Sequence, residues 1–158
     1  MHPLNIKWIF WAHLPHDIDW SLKSYTRIMQ LAYVEEMITL THTLPDKLVT
    51  NCMLFFMREG VNPVWEDPKN KGGGCFSYKI PNKAVVSTWA DVWYQVAGET
   101  LSPDPKFNKN IMGISISPKK GFCILKVWMT NCEFQAPTKI ASPCLPALGC
   151  IFKRHLDH

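Results

Sequence analysis

Proline and glycine cut this sequence into short pieces, and that punctuation limits its folding more than any other feature. Clusters fall at 14–19, 60–63, 67–74, 102–105, 117–121 and 142–146. Proline lacks a backbone donor and clashes inside a helix, and glycine weakens helices and strands alike, so each cluster marks a loop. The runs between them carry the regular structure. Strand-like runs lie at 5–12, 52–57, 75–80, 110–117, 122–129 and 148–154. Two of them alternate. Phe76, Tyr78 and Ile80 oppose Ser77 and Lys79, and Met112, Ile114 and Ile116 oppose Ser115 and Ser117, the period of a strand with unlike faces. The short break at 118–121 predicts a hairpin between 110–117 and 122–129.

Two runs have helical spacing. In 33–41, Val34, Met37, Ile38 and Thr41 share a face, with Glu35 and Glu36 in the first turns, where acids favour a helix start. In 85–97, Val85, Trp89, Val92, Trp93 and Val96 form a stripe, and Ser87 or Thr88 is the expected cap. The combination predicts an α+β chain: an antiparallel sheet with helices on one face. The other face stays open, with loops at its rim to hold a ligand.

Composition sets the remaining bounds. With 158 residues, 47% hydrophobic and 19% charged, the chain suits one domain spanning 1–158 and is too apolar for a disordered one. A net charge of +4 is only a mild bias toward polyanions. The six cysteines lack CxxC spacing, and His42, His155 and His158 complete no zinc-finger pattern, so the expectation is no metal and no cofactor. The cysteines lie in apolar stretches and are expected to be reduced, mostly buried thiols. The apolar run 6–14 is interrupted by Lys7 and is too short for a membrane span, so a cytoplasmic address is expected. No local motif pairs Cys52 or Cys132 with a histidine, which argues against an enzyme.

Seven tryptophans in one small chain are unusual. Trp8, Trp11, Trp89 and Trp93 fit core positions, with Trp11 possible beneath a pocket. Trp20 and Trp65 fall in loops, where an exposed indole is costly unless it binds something. Glu66 sets a carboxylate beside Trp65. Two loop indoles with an adjacent carboxylate suit a flat cationic ring: cation–π attraction acts on both faces, and the carboxylate accepts N–H donors at the edge. Guanine methylated at N7 fits, being positively charged with two N–H groups on its Watson–Crick edge.

These residues resemble the eukaryotic translation initiation factor 4E family of messenger-RNA cap-binding proteins, over nearly the whole chain. The segment 2–11 is similar to the family's opening strand, 63–73 to its central Trp-Glu motif, and 149–155 to its last strand. The resemblance implies a single curved antiparallel sheet of about six to eight strands, with two or three helices on its convex face. It implies that Trp20 and Trp65 stack on the cap, that Glu66 reads the base, and that Trp128 contacts the methyl group. Trp128 is also a natural core residue in a strand. Lys119 and Lys120 are the implied phosphate ligands. Two other basic positions of the family hold Cys75 and Ile124, and Lys153 and Arg154 are candidates to compensate.

The resemblance also implies a helical peptide partner, from a factor 4G-like scaffold or a repressor, on the helix-covered back. His2, Pro3, Val34, Ile38 and Tyr94 are the corresponding residues, with Ile38 where the family places an exposed Trp. Loss of that anchor implies altered partner binding. The prolines at 137, 143 and 146 predict a broken third helical region at 134–145. Besides a cap-binding translation factor, the alternative is an interaction module of the same fold with weak or altered cap specificity, acting as a translational repressor.

Overall fold

The computed structural model describes residues 1–157. Seven strands form one sheet: β1 (Pro3–His13), β2 (Tyr25–Tyr33), β3 (Met53–Arg58), β4 (Gly74–Pro81), β5 (Ile111–Pro118), β6 (Phe122–Met129) and β7 (Ile151–Arg154). Their spatial order is β2-β1-β3-β5-β6-β4-β7, and every neighbouring pair is antiparallel. The helices are α1 (Val34–Thr43), α2 (Asp46–Asn51), α3 (Pro68–Lys71), α4 (Asn82–Ala97) and α5 (Pro105–Lys109).

Alternation along the strands decides what each face presents. Trp8 and Phe10 of β1, Leu54 and Phe56 of β3, Ile114 and Ile116 of β5, and Leu125 and Val127 of β6 belong to the main core. The stripe Trp89, Val92, Trp93 and Val96 of α4 buries in the same core. Phe56 lies against two of these indoles, with ring centroids 3.8 Å from Trp93 and 5.2 Å from Trp89. Trp8 meets Trp93 edge-on at 5.3 Å. Met37 and Leu40 of α1 and Val49 of α2 complete that layer.

Several expectations need correction. Strand β2 carries no strong signal in the sequence, because it is an edge strand of exposed and half-buried residues with only Leu31 buried. Ser87 and Thr88 do not cap α4, which begins five residues earlier than 87, directly after Pro81. Its first turn is exposed, so the apolar stripe starts late. Met112 does not share a face with Ile114 and Ile116. A bulge between Ile111 and Gly113 turns it into a smaller cluster on the opposite face. Gly113 is required there, since a Cβ would sit 2.2 Å from the Phe56 carbonyl oxygen. Region 134–145 holds only a 3₁₀ turn, Pro137–Lys139, as its prolines predict. The cysteines are less buried than expected: Cys75 and Cys123 are buried, the other four half-buried.

The start of the chain is latched to α1. The Glu35 carboxylate accepts the His2 backbone N–H at 3.0 Å and lies 2.5 Å from His2 Nδ1. The His2 side chain, and then its backbone N–H, lower the Glu35 carboxyl from its ordinary 4.5 to about 2. A depressed folded-state value means the contact stabilises fully above about pH 4.5 and is lost as pH falls toward about 2. An NMR titration should place the Glu35 midpoint near 2, and His2→Ala should move it back toward the usual range.

Candidate nucleotide-binding face of the sheet

The face away from the helices carries the candidate site. Register places side chains there in rows across the strands. One row runs Trp11, Phe55, Ser115, Lys126, Ser77. The next runs Ile9, Met57, Gly113, Trp128, Cys75, Lys153. Phe55, Met57, Val61, Cys75, Met112 and Trp128 bury against one another, with Trp11, Tyr25 and Met53 at their margin. Trp11, expected in the core, is instead half-buried at the margin of this cluster and borders neither cavity described below, and Trp8, Trp89 and Trp93 lie in the main core.

Trp65 and Glu66 project from a turn that the backbone fixes firmly. Asp67 caps α3, with Oδ1 accepting the Lys69 N–H and Oδ2 the Asn62 N–H, both at 2.8 Å. Asn70 is fully buried, and its amide donates to the carbonyls of Asn62 and Val64 at 3.0 and 2.9 Å. Pro68 at the first helical position suits that start. The chain then returns to the sheet through Gly73, where a Cβ would lie 1.7 Å from the Met129 carbonyl oxygen. Trp65 is 37% exposed. Glu66 is exposed and forms no ion pair among the described residues. Its charge reaches Tyr25, whose phenol is raised first by burial and then by Glu66.

Trp20 stands on a second loop. His13 at the end of β1 is fully buried, and its Nδ1 and Nε2 lie 3.0 and 2.8 Å from the carbonyl oxygens of Leu14 and Asp19. The imidazole sits between these two carbonyls, donates to one of them in its neutral form, and stacks flat beneath Trp20, centroids 4.0 Å apart at 2°. Asp19 Oδ1 accepts the Ser21 N–H at 2.8 Å, and the Ser21 side chain, then this N–H, lower the Asp19 carboxyl. One face of Trp20 is therefore occupied, yet the residue remains 54% exposed.

Trp128 is mostly buried, and its indole N–H donates to Ser115 Oγ at 2.9 Å. It is the common wall of two cavities. One, of about 300 Å³, is bordered by Trp20, Phe55, Ser117, Lys119, Ile124, Lys126 and Trp128. The other, of about 180 Å³, is bordered by Trp65, Cys75, Ser77, Lys126, Trp128, Lys153 and His155. The structure thus gathers Trp20, Trp65, Trp128 and Lys119 around adjoining cavities on the two sides of β6. Lys120 stays exposed at the hairpin turn and borders neither.

Sequence reasoning missed His13, Lys126 and the Cys75–His155 contact. Lys126 was legible, because it stands two residues before Trp128 on an alternating strand. Cys75 Sγ lies 3.1 Å from His155 Nε2, and His155 Nδ1 lies 2.7 Å from the Asn70 carbonyl oxygen. Nδ1 therefore donates, leaving Nε2 to accept the thiol proton. Burial pushes the Cys75 thiol up to about 12, so this pair holds the floor together and is a poor nucleophile. Among the described residues, no group of three or more His, Cys, Asp or Glu is placed to hold a metal ion. His158 lies outside the described residues.

On the helix side, the partner residues expected from the sequence are brought together. Pro3 pairs with Tyr33, and the Val34 N–H donates to the His2 carbonyl oxygen at 2.8 Å. Val34 and Ile38 are 36% and 41% exposed, one turn apart on α1. The Tyr94 hydroxyl bonds to Thr41 Oγ1, tying α4 to α1. No helix among the described residues is long and apolar enough to cross a membrane.

Comparison with known proteins follows this geometry. Eukaryotic translation initiation factor 4E of Eremothecium gossypii is 30% identical over 166 residues, covering 99% of this chain and 72% of its own length. Eukaryotic translation initiation factor 4E-1 of Schizosaccharomyces pombe is 28% identical over 142 residues, 84% of this chain. This chain spans 62% of the length of that relative. Among solved structures, schistosome eIF4E complexed with m7GpppA and 4E-BP matches with a TM-score of 0.74 at 24% identity, covering 84% of this chain and 73% of that one. Caenorhabditis elegans eIF4E-3 with the 4E-binding protein Mextli and cap analog gives 0.73 at 17% identity, covering 83% and 75%. These structural likenesses establish the fold. The family model described as Eukaryotic initiation factor 4E matches residues 3–155, and this chain belongs to that family.

Proposed function

We propose that this chain, as a single domain over 1–158, binds the 7-methylguanosine cap of messenger RNA on the open face of its sheet, in the cytoplasm, during translation initiation or its control. The observation that carries this reading is the display of Trp65 and Glu66 on a turn pinned by Asp67 and Asn70, with Glu66 free of any ion pair among the described residues. The cationic base stacks between Trp65 and the outer face of Trp20, above Trp128. Glu66 accepts the N–H donors of its Watson–Crick edge and neutralises its charge. Lys119, beside the Trp20 cavity, and Lys120 at the turn attract the phosphates.

Trp fluorescence tests this. Titration with 7-methylguanosine triphosphate should quench emission with an affinity at least about tenfold above that for GTP, the difference expected when a ring gains about 1.4 kcal/mol of cation–π attraction. Equal affinities would remove the charged-sandwich mechanism.

A second surface supports a protein partner. Val34 and Ile38 leave an apolar strip on α1 beside the latched His2 and Pro3, suited to a helical peptide from a factor 4G-like scaffold or a repressor. Ile38 offers less contact area than an indole, so this partner binds with altered affinity.

A further inference from the structure

Lys119 and Lys120 sit in a solvated turn, and only Lys119 borders a cavity. Lys126 holds a more constrained position. It projects from the middle of β6, is half-buried, and borders both the Trp20 and the Trp65 cavities. Ser115 and Ser77 flank it in register on the neighbouring strands. Among the described residues it forms no ion pair and lies over no aromatic ring. A half-buried lysine with no counter-charge beside it is well placed to gain a charge-assisted contact when an anion arrives. The cationic base cannot be that counter-charge. The anionic part of the same ligand can.

One row further on, Lys153 borders the Trp65 cavity, on the far side of Cys75 from Trp128. Cys75 between them is buried and engaged with His155, so it contributes no charge. We propose that Lys126, seconded by Lys153, is the principal phosphate contact of this chain. The polyphosphate of the ligand then crosses the sheet over β6, β4 and β7, and Lys119 and Lys120 at the β5–β6 turn attract it at longer range without gripping it. This rests on the cap reading for the nature of the base, and on the sheet's own charge pattern for the path of the phosphates.

The test is a series of titrations at fixed salt with 7-methylguanosine and its mono-, di- and triphosphate. The proteins are the wild type, Lys126→Met, Lys126→Arg, Lys153→Ala and Lys119→Ala. Lys126→Met keeps the aliphatic stem, and thermal melts check that each variant folds. Wild-type affinity should rise with each phosphate. Lys126→Met should lose about tenfold or more on the triphosphate, as expected for a charge-assisted contact, while changing the nucleoside by less than about threefold. Repeated at several salt concentrations, the triphosphate titration should also show a flatter salt dependence for Lys126→Met than for the wild type. Lys126→Arg should retain most of the phosphate response, and Lys153→Ala should lose less than Lys126→Met. If Lys119→Ala removes the phosphate response and Lys126→Met leaves it intact, the proposal is overturned while the cap reading survives. If methylated and unmethylated triphosphates bind equally, the cap reading fails, and the same series run with GMP, GDP and GTP still decides Lys126. Absence of any nucleotide binding overturns both.

Discussion

Trp65→Ala should weaken binding of 7-methylguanosine triphosphate by about 150-fold, the equivalent of about 3 kcal/mol at the upper end of base–aromatic stacking. The upper end applies because the base is cationic and the indole is the best ring for a cation. Trp65 is 37% exposed on a turn held by Asp67 and Asn70. The variant should therefore melt within a few degrees of the wild type. Trp65→Phe should recover part of the affinity, since a smaller aromatic face remains. Wild-type affinity in the alanine variant would eliminate the sandwich, whatever the rest of the face does.

Trp93→Ala should act on stability instead, at about 3–5 kcal/mol. Trp93 is fully buried, stacked on Phe56 at 3.8 Å and edge-on to Trp8 at 5.3 Å. Its removal opens a void where α4 meets the sheet, and the rows on the opposite face rest on those same strands. Against a total stability of about 5–15 kcal/mol, this lowers the melting temperature by roughly 10 °C. The indole N–H of Trp93 has no hydrogen-bond partner among the described residues, so Trp93→Phe should cost clearly less. A phenylalanine variant as unstable as the alanine one would mean that the N–H, not ring volume, matters there.

The strands that cross the sheet's interior were legible, because their alternation is the direct imprint of two unlike faces. Phe76, Tyr78 and Ile80 on one side and Ser77 and Lys79 on the other fall as the pattern predicts. β2 was not legible, because an edge strand with Leu31 as its only buried residue has little reason to alternate. Met112 was misplaced for a different reason. A bulge changes parity, and nothing local in the sequence distinguishes it from a regular strand, although Gly113 beside it is a hint. At the candidate site, the turn that displays Trp65 and Glu66 was legible from its proline and glycines. His13 was not, since its partners are backbone carbonyls of a loop whose closure depends on Asp17 and Asp19 bonds further along. Lys126 was overlooked in favour of lysines in a turn, where exposure is easier to read than direction.

The stacking of Trp20 on His13 bears on how fast a ligand is captured as well as how tightly. An indole already resting on a buried imidazole set between the Leu14 and Asp19 carbonyls has little torsional freedom left to lose on encounter. On the proposed cap reading, an arriving base would meet a prepared shelf and become the third plate of a column. On that reading the remaining adjustment would fall on the Trp65 side, and the escape rate of the base would be set chiefly by that one turn.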